Sequence, residues 1–363
     1  MNLYQYARVA VKVGSNVLAR RDGTLDVTRM SALVDQIAEL RKGGMEVILI
    51  SSGAVASGRS ELKCTRKLDS VDQRQLFSAV GQAKLINRYY ELFRDHEIAV
   101  GQVLTTKESF STRRHYLNQR NCMQVMLENG VLPIVNENDT ISVTELMFTD
   151  NDELSGLIAT MMDVQALVIL SNVDGIYNGS PSEPGTEVIR EVGIGKELKD
   201  YIQTEKSGFG RGGMITKCNI ARKVADEGVH VYIANGKQEN ILLRLMENPQ
   251  ETVCTHFVPS VSPVSSVKKW MAHCEDFAKG AVHLNECITK VIRGSQAISI
   301  LPVGVTRIEG TFEKDDIVRV IDSEGEQIGV GKAACSSEQA EKLLGQHGKK
   351  PLIHYDYLYL EGC

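Results

Sequence analysis

Residues 9–15 read Val9-Ala10-Val11-Lys12-Val13-Gly14-Ser15. Three valines alternate around Ala10 and Lys12, a period-two pattern that predicts a strand, and Gly14-Ser15 predicts a turn at its carboxyl end. Downstream, Thr28 opens a segment in which Met30, Leu33, Val34, Ile37 and Leu40 recur at three- and four-residue steps, a helical period stopped by Gly43-Gly44. A strand follows at Glu46–Ile50, then a helix over Asp72–His96, a strand over Ile98–Leu104 and a helix over Arg113–Asn129. Val131–Val135, Ala166–Leu170 and Val229–Ile233 read as further buried strands, with helices near Asp152–Met162, Met214–Glu227 and Gln238–Glu247. Strands alternating with helices predict an α/β fold, a mainly parallel sheet covered on both faces.

Pro259–Ser266, with two prolines and four serines, interrupts that order. A helix-like stretch near Val267–Ala278 follows, and from Ala281 short strands and turns take over: Ala297–Leu301, Pro302–Gly304, Gly310–Phe312, Ile317–Ile321, Glu324-Gly325 and Ile328–Val330. The expected domains are therefore 1–258, a linker at 259–278, and a small β-rich domain over 279–363. A chain of 363 residues fits two domains at about 150 residues each.

Composition narrows the function classes. Hydrophobic residues at 42% and charged residues at 24% are those of a globular chain. A net charge of −5 is too acidic for a protein whose main partner is a nucleic-acid backbone. No apolar run approaches the roughly 18 residues of a membrane span, and Met1–Arg8 lacks the basic start and apolar stretch of a secretory signal, so the expected location is cytoplasmic. The eight cysteines are nowhere closer than Cys274 and Cys287, which argues against a zinc site and, with no secretion signal, against a disulfide framework.

Five segments could carry chemistry, and each has an ordinary structural reading beside the functional one. Lys12 stands at the end of the first strand, where ligands bind open α/β sheets. Ser51-Ser52-Gly53-Ala54 follows the next strand and could cradle a carboxylate or phosphate, or simply cap a helix. Asn136-Glu137-Asn138-Asp139-Thr140 could take an amino-acid ammonium and carboxylate. Asp150-Asn151-Asp152-Glu153 opens a helix, where acidic residues are favoured on electrostatic grounds alone. Gly208-Phe209-Gly210-Arg211-Gly212-Gly213-Met214-Ile215-Thr216-Lys217 is a glycine-rich entry to a helix without the Walker A spacing. Together Lys12 and Lys217 provide two cations for the spreading negative charge of phosphoryl transfer.

In this order the segments resemble the amino-acid kinase family, in the branch that acts on free L-glutamate and carries a C-terminal PUA module. The matching residues are Val11–Ser15, Ser51–Ala54, Gly101–Leu104 through Tyr116–Asn118, Asn136–Asp139, Asp150–Ser155, Ser171–Tyr177 and Gly212–Lys217. The resemblance implies a three-layer α/β/α sandwich and transfer of the ATP γ-phosphoryl group to the glutamate side-chain carboxylate, the first step of proline synthesis, with Mg²⁺. It implies that Lys12 and Lys217 hold the transferring group and that Asp152 orients them. Ser52, Asp139 and Asn151 would bind glutamate. Lys12, Ser171, Asn172 and Arg211, Gly212, Gly213, Met214, Ile215, Thr216 and Lys217 would bind ATP. It implies a homo-oligomer.

Two departures stand out. The family usually has Thr or Ser followed by Asp where this chain has Ser171-Asn172, so a charge is missing there. In the PUA-like tail, Asn285 and Cys287-Ile288 replace the usual Asp and Gly-Ala. Another enzyme of the same family, or an RNA-binding protein acting through the tail, are the alternatives. Residues 281–363 hold nine Lys plus Arg against twelve Asp plus Glu, a net of −3, which makes RNA an improbable partner.

Overall fold

A computed structural model describes residues 4–62, 69–141, 148, 151–179, 185–194, 214–261, 270–271, 277–294 and 298–360. The chain forms two compact units, Met1–Ser109 with Leu117–Pro263, and Phe110–Tyr116 with Val264–Cys363.

The first unit runs β1 (Arg8–Val13), α1 (Ser15–Leu18), α2 (Val27–Lys42), β2 (Glu46–Ser51), α3 (Ala54–Glu61), α4 (Ser70–Arg94) and β3 (Val100–Thr105). It continues with α5 (Arg113–Glu128, its first residues to Tyr116 counted with the second unit), β4 (Leu132–Glu137), α6 (Asn151–Met161), β5 (Ala166–Ser171), β6 (Glu191–Val192), α7 (Met214–Asp226), β7 (His230–Asn235), α8 (Ile241–Glu247) and β8 (Thr255–Phe257). The strands form one sheet in the order β3-β4-β2-β1-β5-β7-β8-β6. Every neighbouring pair is parallel except β7 with β8.

The alternation in residues 9–13 decides which face meets which helices. Val9, Val11 and Val13 enter a core shared with Leu33, Ile37 and Leu40 of α2, Leu85 and Phe93 of α4, and Leu242 and Leu245 of α8. Ala10 and Lys12, one residue out of phase, turn to the opposite face, and α6 carries the Lys12 partner there. Strands buried along their length, such as β4 and β5, are what a parallel sheet covered on both faces requires.

Several boundaries differ from expectation. Asp26, not Thr28, caps α2, its carboxylate accepting from the Arg29 N–H at 3.1 Å. The last helix of this unit begins at Ile241 rather than Gln238, because Asn240 sits in the left-handed region at φ 50°. Most of the expected helix at 267–278 lies outside the described residues.

In the second unit β9 (Gly280–Leu284), β10 (Val305–Gly310), β11 (Ile317–Ile321), β12 (Gln327–Ala333) and β13 (Ile353–Leu360) form a sheet ordered β10-β9-β11-β12-β13. Its core gathers Val282, Leu284, Ile292, Val305, Val318, Val320 and Ile353. Ala297, the first residue of the expected strand at Ala297–Leu301, lies outside the described residues, and the described part pairs through a bridge between Ile300 and Ile353. The expected Gly310–Phe312 segment begins where β10 ends.

Candidate active site

Lys12 is the penultimate residue of β1 and is 4% exposed. Its ammonium forms an ion pair with Oδ1 of Asp152, which is completely buried in the first turn of α6. From α7, Lys217 brings its Nζ to 2.8 Å from Asp152 Oδ2. Gly156 sets the distance between those two helices: a Cβ there would stand 3.0 Å from Ile220 Cγ2 and Val224 Cγ2. Ile220 and Val224 lie three and seven positions beyond Lys217, on the same face of α7.

Two cations on one carboxylate leave a net positive centre below the strand ends. Burial alone would raise the Asp152 pKa, but Lys12 and then Lys217 outweigh it and hold the group below the usual carboxylate range. The carboxylate stays charged and keeps two like charges together that would otherwise repel.

A second cluster adjoins this one through Asn151, the residue before Asp152. Asn151 Nδ2 donates to Ser52 Oγ at 2.9 Å and to Asn136 Oδ1 at 3.0 Å. Ser52 is placed by the β1–β2 pairing, its N–H donating to the Val13 carbonyl at 3.2 Å. Asn136 in turn donates from Nδ2 to Gln82 Oε1 at 2.8 Å. Glutamate positions read from distant segments, Ser52 and Asn151, are thus in direct contact.

Asp139 lies in a third cluster. Arg74 donates from Nε to Asp139 Oδ1 at 2.7 Å and from Nη2 to Glu137 Oε2 at 2.7 Å. Ser78 donates to Asp139 Oδ2 at 3.0 Å, and the Phe148 N–H donates to Glu137 Oε1 at 2.9 Å. Glu137 is buried, and that burial, with the neighbouring charge of Asp139, pushes its pKa up to about 7 against the opposing pull of Arg74 and the Phe148 N–H.

On the other side of Lys12, Ser171 ends β5 with Asn172 behind it. The Ser171 hydroxyl is 3.5 Å from Asn172 Oδ1, and the Ser171 carbonyl accepts from the Gly236 N–H at 2.8 Å. Two residues on, Asp174 Oδ1 accepts from Asn235 Nδ2 at 2.9 Å and Gln238 Nε2 at 2.7 Å. Met214, Ile215, Thr216 and Lys217 form the start of α7; Arg211, Gly212 and Gly213 lie outside the described residues.

Arg74, Ser78, Gln82 and Asp174 were not singled out from the sequence. The first three are spaced by four on one helix, a signal shared with any solvated helix face.

Charged groups thus converge at the carboxyl ends of parallel strands in an open α/β sheet, with two lysines sharing one buried carboxylate. The sequence model of the amino acid kinase family matches residues 7–235, and that of the PUA domain matches residues 280–355. The chain is 74% identical to glutamate 5-kinase of Bacteroides thetaiotaomicron over 98% of its length and 99% of that protein. It is 47% identical to glutamate 5-kinase of Chlorobaculum tepidum, with 98% of each covered, and 37% identical to that of Methylococcus capsulatus, with 97% of each covered. Among solved structures, UMP kinase from Bacillus anthracis aligns at a TM-score of 0.49 and 17% identity, covering 72% of this chain and 99% of that one. The chain belongs to the amino acid kinase family, in its glutamate 5-kinase branch with a C-terminal PUA domain.

Proposed function

We propose that the chain transfers the γ-phosphoryl group of ATP to the side-chain carboxylate of L-glutamate, giving L-glutamyl 5-phosphate and ADP as the first step of proline biosynthesis. The observation that carries this reading is the buried Lys12–Asp152–Lys217 triad next to the Ser52–Asn151 pair. A glutamate oxygen attacks the γ-phosphorus as the bond to the β,γ-bridging oxygen breaks. The acceptor is already ionised at neutral pH, so no base has to remove a proton. What remains is positioning and neutralisation of spreading charge, the role assigned to Lys12 and Lys217. Asp152 fixes the two ammonium groups and touches neither substrate. Ser52, Asn151 and Asp139 take the amino acid. Ser171, Asn172 and the segment from Arg211 to Lys217 take the nucleotide.

ATP enters as its Mg²⁺ complex. Among the described residues no three His, Cys, Asp or Glu side chains gather into a metal cage, and both Asp152 oxygens face lysines. Phosphate and water would supply most of the ion's ligands, as Mg²⁺ generally prefers. No described helix is long and apolar enough to cross a membrane. With glutamate and ATP as substrates, we place the enzyme in the cytoplasm.

The test is a substrate screen with ATP and Mg²⁺ in which ADP release is recorded and the acyl phosphate is trapped as a hydroxamate. Turnover that depends on L-glutamate and exceeds that with N-acetylglutamate or uridine monophosphate is expected. Equal or greater turnover with either rival substrate would overturn the assignment.

A further inference from the structure

Helix α4 lies across the polar run that ends β4, and it meets that run with three side chains spaced by four residues. Gln82 Oε1 accepts from Asn136, Ser78 donates to Asp139, and Arg74 joins Asp139 to Glu137. We propose that this stripe is a positioning device for the amino-acid substrate and that Arg74 is its principal residue. The proposal rests on the assignment of Ser52, Asn151 and Asp139 to the glutamate site.

Arg74 does not itself have to touch substrate. Its guanidinium is engaged by two buried carboxylates, one from the last residue of β4 and one from the turn after it. Two carboxylates held so close repel each other, and burial denies them water, so a cation between them is what allows the turn to keep this shape. With Oδ1 on Arg74 and Oδ2 on Ser78, the Asp139 carboxylate is fixed in both position and plane. Oδ1 takes both Nε and Nη2 of Arg74, and Oδ2 keeps a lone pair to offer a substrate ammonium.

The seat of α4 is equally specific. A Cβ on Gly81 would lie 1.8 Å from the Ala54 carbonyl oxygen, and one on Gly58 would lie 1.9 Å from the Phe77 carbonyl oxygen. Only glycines let α3 and α4 approach this closely. Because α3 starts directly after Ser52-Gly53, the contact ties the helix carrying Arg74 to the turn carrying Ser52. The stripe thereby links the two ends of the amino-acid site, Ser52 and Asp139, through backbone rather than through substrate.

The experiment uses the full chain, wild type and the variants Arg74→Ala, Arg74→Lys and Ser78→Ala. Thermal melts establish folding. Initial rates are measured with L-glutamate and ATP varied in turn, and L-glutamate binding without ATP is followed by calorimetry. Arg74→Ala is expected to raise the glutamate KM by about tenfold or more while the ATP KM and kcat change little, since lost ground-state positioning appears in KM. Arg74→Lys should recover part of that loss, because it restores the charge without the planar fork. Ser78→Ala should raise the glutamate KM by about threefold, a smaller effect than the loss of Arg74, because Arg74 still holds Oδ1 of Asp139.

A folded Arg74→Ala with an unchanged glutamate KM, or with equal losses for glutamate and ATP, overturns the proposal. Should Arg74→Ala not fold, Arg74→Lys and Ser78→Ala decide by the same criterion. A wild-type chain that neither binds nor phosphorylates L-glutamate refutes the proposed function and this inference with it. A glutamate-dependent wild type with indifferent variants refutes only the inference.

Discussion

Lys217 and Asp152 lie more than sixty positions apart in sequence, yet Nζ and Oδ2 meet at 2.8 Å in a site closed to solvent at the carboxylate. The carboxylate also holds Lys12, so one buried anion positions both cations. Replacing either lysine by alanine should leave the fold in place, because the other lysine still neutralises Asp152. Each replacement should lower kcat by roughly 100- to 1,000-fold, the usual effect of losing one preorganised contact to transition-state charge. Steady-state kinetics with circular dichroism check this. A folded variant with near-full kcat would make that lysine structural.

Ser52 and Asn151 share a hydrogen bond, and that changes what a pair of substitutions should do. Ser52→Ala and Asn151→Ala should each raise the glutamate KM more than the ATP KM. Asn151→Ala should be the more severe, since it also gives up the bond to Asn136. The double variant should cost less than the two single effects combined, because both singles break the same contact. Additive effects in this cycle, or a defect selective for ATP, would reverse the assignment.

Glu137 gives the site a pH dependence of known sign. Its pKa is pushed up from 4.5 to about 7 by burial and by Asp139, so the native state holds the proton more tightly than the unfolded chain does. The contribution to stability is fully present below pH 4.5 and is lost as pH rises through about 7. Glu137→Gln removes this titration while its single amide oxygen keeps an acceptor for either Arg74 or the Phe148 N–H. The melting temperature of wild type relative to the variant should therefore fall across this window. Melts of both proteins at several pH values provide the check, and a constant or rising difference would contradict it.

The contrast between Lys12 and Arg74 shows what could be read ahead of the structure. Lys12 interrupts a run of alternating valines at a strand's end, so its position in the sheet and its exit toward the ligand side follow from local pattern. Asp152 was ambiguous, because an acidic residue in a helix's first turn needs no further reason to be there. Arg74, Ser78 and Gln82 were invisible for a different reason: polar residues four apart describe most solvated helices, and their partners lie 54 to 65 positions away. The short strands β6 and β8, of two and three residues, carry too few positions to show a period. The start of α8 is hidden from the sequence because a positive φ at Asn240 leaves no mark in hydrophobic spacing.

The C-terminal module yields the last prediction. The proposed catalytic residues all lie between Lys12 and Lys217, and the tail from Ala281 carries a net charge of −3. Glutamate-dependent phosphoryl transfer should therefore survive removal of the module, and the isolated module should bind structured RNA only weakly and with strong salt dependence. The point of truncation matters, however. Trp270 is 3% exposed, donates from Nε1 to the Phe110 carbonyl at 3.0 Å and lies under the Arg113 guanidinium at 5.9 Å from its ring centroid. A chain ending after Ser266 loses this cover over Phe110–Tyr116, whereas one ending after Ala278 keeps it. Uncovering a buried aromatic contact of this kind costs about 1–3 kcal/mol. The longer truncation should therefore melt several degrees above the shorter one, with both retaining kinase activity at temperatures where they are folded. Melting curves and ADP-release assays on the two chains, with RNA titrations of the module at physiological salt, decide the matter. Identical melting temperatures would remove Trp270 from the account, a folded but inactive longer chain would show that the module completes the active site, and tight RNA binding would restore the rival reading of the tail.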